Sequence, residues 1–486
     1  MGLRYASAPG RWVLAATVLG SALAAIDATV VGIALPAIGR DFHAGMGTLQ
    51  WVVTAYTLTL AGPLLVAGAL GDRYGRRRVF IVGVVWFALA SILCGFAPSA
   101  GVLVAARALQ GIGAALLTPG SLAILEASFC PEDRGKAIGA WSGLGGVATA
   151  IGPFVGGWLV AAVSWRLIFA VNLPVAALVV VMAWRHVPES HDPDATGPVD
   201  LAGGALVTLG LVGVAYGLIE GPGTGRGAAA LVAGVVLLAA FGWWERRARP
   251  PMLPLNLFRS AQFTATNVVT FVVYGALGGA MFLLPIALQQ VSGYTALEAG
   301  VSLLPLTVIM LALSARSGAL AARIGPRLQM SVGPVLVGAG LALFTLVGRD
   351  AGYPTRVLPA VLVLGLGLAT TVAPLTATAL SAAPARHAGM ASAVNNDVAR
   401  VAGLIAVAVL PAVAGITGAA YLDPARFAAG FHTASLISAG LCVLGGVLAA
   451  LMIRNPVRVP APVARPTVHC GLEAPPARAA AVATRR

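Results

Sequence analysis

Charge is scarce in this sequence. Only 10% of its 486 residues are Asp, Glu, Lys or Arg, and the single lysine, Lys136, stands beside 30 arginines. A soluble domain carries roughly 25% charged residues to keep its surface hydrated, so a soluble enzyme or binding module is excluded. The four cysteines, Cys94, Cys130, Cys442 and Cys470, have no C-x-x-C spacing. Nothing therefore points to a zinc ribbon, a redox motif or a disulfide framework. Six scattered histidines show no metal-ligand spacing, and no bound metal is expected. Walker A, dinucleotide and nucleophile-elbow motifs are absent, which removes ATP-driven pumping by this chain and the commonest hydrolase chemistry. Aromatics make up 7% and do not interleave with basic stripes, so the net charge of +14 does not signal nucleic acid.

What fills the chain instead is apolar sequence, 58% of residues with a mean hydropathy of +0.90. A membrane-crossing helix needs about 17–25 apolar residues. Such runs lie near 12–36, 48–70, 79–97, 101–125, 136–161 and 166–185, then 200–220 and 228–245. Six more lie near 262–289, 297–322, 328–347, 357–380, 390–416 and 430–453. The first run is long enough to span and remain, so no cleaved signal is expected. This reading predicts an all-α integral membrane protein with fourteen spans. It divides into a six-helix bundle over 1–190, two inserted helices over 191–250, a second six-helix bundle over 251–454, and a disordered tail over 455–486. The tail is rich in Pro, Ala and Arg and cannot form a core.

An even span count puts both termini on one side. Counted by side, 24 basic residues fall on the terminal side and 6 on the other, with Arg107 left inside a span. Cytoplasmic segments are enriched in Arg and Lys, so both termini are expected in the cytoplasm of a multi-pass cell-membrane protein.

The two six-span groups carry a repeat. Gly68-Ala-Leu70-Gly-Asp72-Arg73-Tyr-Gly75-Arg76-Arg77 follows the second span, and Gly318-Ala-Leu320-Ala-Ala322-Arg323-Ile-Gly325-Pro326-Arg327 lies 250 residues later. Arg134 and Arg386 repeat at almost the same offset, 252. Parallel halves of this kind place a substrate site between them near the midplane.

Two charges are isolated in apolar runs. Asp27 lies nine residues before Pro36, and Arg107 six after Gly101. At 1.5 Å per residue these depths are about 13 and 9 Å, so the two side chains can meet. A carboxylate in hydrocarbon costs about 2.5–3.5 kcal/mol and faces a partner or a wet cavity. Asp27 is the candidate proton-coupling residue, with Arg107 as its partner; the alternative is a static pair that fixes helix packing. Gln110, Trp51, Tyr56, Asn395, Asn396 and Asp397 are candidates for the substrate path. Asp397 and Arg400, at i and i+3, could instead pair with each other. Glu126, near a span end, is a weaker candidate.

These residues also carry a resemblance. Ile26-Asp27-Ala-Thr29-Val30-Val31-Gly-Ile-Ala34-Leu35-Pro36 resembles the first-helix signature of the fourteen-helix drug:proton antiporters of the major facilitator superfamily. Gly68 to Phe80 resembles the superfamily's loop motif, and Leu103 to Gly113, with Arg107, Gln110 and Gly111, its fourth-helix motif. Ala148-Thr-Ala-Ile-Gly152-Pro153-Phe-Val-Gly156-Gly157 resembles the fifth-helix motif associated with export. Phe169 to Pro174 and Gly389 to Ala393 add further matches, so the resemblance runs from Trp12 to Arg454. The chain departs from the pattern at Gly32 (usually Asn), at Ala148 (usually Gly) and at Ala322, which stands where the second loop copy would have Asp. The resemblance implies a major facilitator fold and proton-driven export of amphipathic small molecules, charged or neutral, such as drugs or antibiotics, with lipophilic cations as one option. No cofactor beyond the proton gradient and no catalytic residue is implied. It also implies a latch on the cytoplasmic side by Gly68, Asp72, Arg73, Gly75, Arg76 and Arg77, Asp72 facing a helix N-terminus of the other half. Gly152, Pro153, Gly156 and Gly157 would pack a helix closely enough to stop leak, though plain packing glycines read equally well. The partners expected are a lipophilic substrate and the bilayer, with the chain acting as a monomer. Symport-driven uptake of a metabolite is the alternative within transport. A lipid-linked transferase is disfavoured by short outer loops nearly bare of carboxylates and histidines.

Overall fold

The structure, a computed structural model, describes residues 2–193, 195, 197, 199–248, 251–253, 255–349, 351–383 and 388–455. At residues 150, 388, 389, 419 and 420 it describes the backbone alone. Arg249, Arg386, His387 and the tail beyond Asn455, with Cys470, lie outside the described residues.

Met1–Arg454 forms one helical unit. Its helices run α1 (Ala8–Asp41), α2 (Met46–Ala61), α3 (Leu64–Tyr74), α4 (Arg76–Gly95), α5 (Ala100–Ser128), α6 (Pro131–Ala162), α7 (Leu167–Ala170) and α8 (Asn172–His186). They continue with α9 (Leu201–Glu220), α10 (Gly225–Glu245), α11 (Ala261–Gln290), α12 (Ala296–Val301), α13 (Leu304–Ile324), α14 (Pro326–Leu343), α15 (Leu358–Ser381), α16 (Ala388–Val413) and α17 (Pro424–Met452). Among the described residues, 13 helices are long and apolar enough to cross a membrane, and α2 with α3, bent by 42°, makes the fourteenth span. The bend falls at Gly62-Pro63, where proline withholds a backbone donor. A side chain at Gly62 would collide with Thr208 of α9, so the break also admits the inserted helix.

In the first six spans α1 packs on α5, α6 and α8, α4 on α5 and α8, and α2 on α5. In the last six, α11 packs on α16 and α17, α14 on α15 and α17, and α13 on α15. The second and tenth spans both end on a glycine with positive φ, Gly75 at 108° and Gly325 at 91°. This backbone state is cheap only for glycine, and it gives the two repeated loops the same turn. The inserted helices α9 and α10 form a hairpin in which Gly213 and Gly234 let the backbones touch, the usual device for close packing in lipid. Leu58, Leu211, Ala215 and Leu404 form one apolar cluster, so α9 is held by α2 and α16 together.

Long apolar side chains point outward along the spans, such as Val236 at 60% and Leu451 at 74% exposure. In water such a surface is a liability, while in a bilayer it is the solvated face. The charge count needs two corrections, at Arg400 and Arg316, both among the 24 basic residues counted on the terminal side. Arg400 was placed with the terminal-side segments, but it lies twelve residues into α16, within the span. Arg316 likewise lies inside α13.

Candidate functional site

Asp27 and Arg107 meet. Helix α1 runs on to Asp41 rather than ending at Pro36, but the extra turns project beyond the start of α5 and leave the pair in register. Arg107 Nη1 forms the ion pair with Asp27 Oδ2, both side chains being about 1% exposed. Asp27 Oδ1 accepts from Gln110 Nε2 at 2.8 Å and from Asn172 Nδ2 at 3.1 Å. Gln110 sits one turn after Arg107 on α5 and turns its carbonyl back to Arg107 Nη1 at 2.6 Å. Its amide also donates to Ser91 Oγ of α4 at 2.8 Å, and Asn172 Nδ2 reaches the same oxygen at 3.3 Å. Arg107 Nε donates to the Val52 carbonyl of α2 at 3.1 Å. The guanidinium lies 4.2 Å from the Tyr56 ring centroid, so Tyr56 covers it with an aromatic face.

The donor set decides the charge state that fits. Every group reaching the Asp27 carboxylate is a donor, which suits the ionised form, and a carboxyl proton would find no acceptor among them. The pair and its partners come from five elements, so the arrangement depends on how those helices are packed.

The other candidates scatter. Gln110 and Tyr56 belong to the network. Trp51 does not: it lies five residues before Tyr56, about 140° round the helix, and packs on Tyr216 of the inserted hairpin, ring centroids 6.1 Å apart. Asn395 ties α16 to α11, donating to Thr270 Oγ1 at 2.8 Å and Asn267 Oδ1 at 3.1 Å. Asn396 bonds back to Ser392 of its own helix. Asp397 and Arg400 form no ion pair; Asp397 Oδ1 and Arg400 Nη1 are buried atoms without a hydrogen-bond partner among the described residues. Glu126 is exposed.

At the loop motif, Asp72 pairs with Arg76 of its own loop at 2.7 Å. Its neighbours are held by the chain that follows α8: Glu189 accepts from the Arg77 backbone N–H at 3.0 Å, Ser190 O from Arg76 N at 2.9 Å, and Gly197 O from Arg73 Nη1 at 2.6 Å. A side chain at Gly75 would meet the Glu189 carboxylate at 2.8 Å, while Gly68 is loosely packed near Pro119. In the fifth span Gly152 and Gly156 pack on Thr29 and Val30 of α1. Gly157 instead faces the other group of spans, where an added Cβ would lie 2.5 Å from the Ala296 carbonyl. The Pro153 carbonyl is in turn received by Gly300 of α12.

Sequence reasoning left Ser91, Asn172 and Glu189 out of the site. Asn172 was visible in the Asn-Leu-Pro segment, but nothing in its spacing ties it to Asp27, 145 residues away.

The geometry thus presents a buried, charged network within the first six spans of a many-helix membrane protein, and comparison with known proteins now places the chain. The profile described as Major Facilitator Superfamily matches residues 17–408. The chain belongs to the Major Facilitator Superfamily. It is a multi-pass membrane transporter, not an enzyme. Among its relatives are the Tetracenomycin C resistance and export protein of Streptomyces glaucescens, 37% identical over 82% of this chain and 74% of that one. The Puromycin resistance protein pur8 of Streptomyces alboniger is 36% identical over 91% of each chain. Multidrug resistance protein Stp of Mycobacterium tuberculosis is 37% identical over 85% of this chain and 77% of that one. In fold, this major facilitator resembles a bacterial homolog of the human lysosomal transporter Spinster in its inward-facing, unoccupied conformation. The TM-score is 0.67 at 17% identity, over 92% of this chain and 97% of that one. It also resembles a D-xylose-proton symporter, TM-score 0.64 at 15% identity, over 92% and 98%.

Proposed function

We propose that this transporter exports amphipathic, cationic small molecules such as drugs or antibiotics in exchange for protons, by alternating access and as a monomer. The observation that carries the reading is the buried network of Asp27, Arg107, Gln110, Asn172 and Ser91. Asp27 is the proton-exchanging group, and Arg107 sets how readily it takes a proton. The unpartnered Asp397 Oδ1 on α16 offers a cationic substrate an acceptor on the other side of the path. The resistance and export relatives support the substrate class. The charge bias supports both termini being cytoplasmic in the cell membrane, so that substrate enters from the cytoplasm or inner leaflet.

The test is a susceptibility panel in a pump-deficient host. Expression is expected to raise the inhibitory concentration of some lipophilic cations, and collapsing the proton gradient is expected to cancel the effect. A panel without any protected compound, with the protein in the membrane, would overturn the reading. Orientation is checked separately. Reporter fusions after Arg454 and within the 221–227 loop are expected to report opposite sides, and agreement between them would refute the fourteen-span count.

A further inference from the structure

On the face opposite the chain termini, hydrogen bonds join the first six spans to the last six. Gln50, near the start of α2, donates Nε2 to the carbonyls of Val407 at 2.6 Å and Ala408 at 3.1 Å in α16. Gln289, at the end of α11, donates Nε2 to the Ile33 carbonyl of α1 at 3.0 Å. Tyr421 Oη donates to the Ala44 carbonyl at 2.5 Å. No charged side chain takes part in these bonds.

The Val407 acceptor has a definite cause. A helix carbonyl normally receives the N–H four residues ahead, and proline has none. Pro411 lies four residues after Val407, so the Val407 carbonyl has no donor in its own helix and is free for Gln50. Pro36 lies four residues after Gly32 and frees the Gly32 carbonyl, whereas Gln289 reaches the next one, Ile33 O, and also the Pro285 carbonyl of its own helix at 3.2 Å. Each half therefore supplies one glutamine that reaches a backbone carbonyl of the other half, and for Gln50 that carbonyl is one a proline has opened.

We propose that Gln50 and Gln289 are reciprocal gate residues: each holds the non-terminal face shut by donating to backbone carbonyls of the other half, Gln50 to the one that Pro411 leaves open, and each releases them when that face opens. The gate rests on the alternating-access reading, but it acts without charge. A neutral donor on a carbonyl contributes only about 0.5–1.5 kcal/mol net, so it can be made and broken in every cycle, whereas a buried ion pair would trap one state.

The experiment uses the full chain, its own cysteines replaced, with His43→Cys and Thr417→Cys spin-labelled on the two far-face loops in lipid vesicles. Both positions are exposed, and the neighbouring Gly45 and Gly418 approach each other across the closed face. Short separations are expected to dominate in the parent. Gln50→Leu and Gln289→Leu are each expected to lower the ratio of short to long separations about fivefold, the effect of one net hydrogen bond. Pro411→Ala restores the helix donor to Val407, so it is expected to shift the ratio in the same direction, and adding Gln50→Leu to it should produce little further change. A packing role for Gln50 would instead give independent, additive shifts. Unchanged separations in both glutamine variants, or additivity of Pro411→Ala with Gln50→Leu, would overturn the proposal. The measurement needs neither substrate nor proton gradient, so its failure is distinguishable from failure of the export reading.

Discussion

Replacing Asp27 by Asn is expected to abolish uphill export driven by a pH gradient while downhill substrate exchange persists. Asparagine cannot exchange a proton, and exchange requires only that the two faces open in turn. The structure adds a cost that the chemistry alone does not show. Asp27 accepts on both oxygens, Arg107 on one side and Gln110 with Asn172 on the other. The amide has one acceptor oxygen, so either Arg107 or the Gln110–Asn172 pair meets an N–H group, and a guanidinium about 1% exposed loses its counter-charge. Orphaning one partner of a buried pair costs about 3–5 kcal/mol, enough to reduce the folded fraction. The comparison must therefore include Asp27→Asn with Arg107→Leu, which removes both charges together. That variant is expected to recover membrane levels but not coupling. Efflux in proteoliposomes with matched protein amounts decides the point. Full gradient-driven transport by Asp27→Asn would end the coupling role and pass it to Asp397 or Glu126.

The second large effect is expected from a single methyl group at the seam between the halves. In Gly300→Ala the new Cβ would run into the Pro153 carbonyl, and in Gly157→Ala it would lie 2.5 Å from Ala296 O and 2.8 Å from Leu297 Cα. These obstacles are backbone and cannot rotate away. Overpacking costs about 1–3 kcal/mol. Here the cost falls only on the state in which the halves touch at this face, so it shifts the conformational balance rather than the fold. Turnover is expected to drop at least about tenfold, the equivalent of roughly 1.4 kcal/mol. Labelling of the far face from outside should rise in parallel. Gly145→Ala and Gly146→Ala on the same helix meet nothing within 4 Å and should transport normally. Normal turnover in both seam variants would show that the motif glycines serve packing within one half alone.

Neither seam nor network could be assembled from sequence, although most of the helices could. Apolar run length is a local property, because every backbone polar group in hydrocarbon must be satisfied within its own segment. The fourteen runs read from 12–36 to 430–453 therefore coincide with helices that differ mainly by a few residues at their ends. Glycine in the two repeated loops was legible for a similar reason, since the turn at Gly75 and Gly325 needs positive φ whatever surrounds it. Asp27 and Arg107 stood out because an isolated charge in an apolar run is costly and needs an answer. Polar, uncharged residues give no such signal. Ser91 and Asn172 look like ordinary span residues until four helices bring them to one carboxylate, and Trp51 looks like a path residue until its helix face is seen to meet α9. Sequence by itself determined the spans and the presence of two intramembrane charges, because hydrophobic length and charge cost act along the chain. Only the tertiary structure decided which helix faces meet: that Gly157 meets Ala296 and Gly300 meets Pro153 across the halves, that Gln50 finds the carbonyl left open by Pro411, and that Asp72 pairs within its own loop. Those choices depend on helix rotation and crossing, which shape and packing set and which local pattern leaves open.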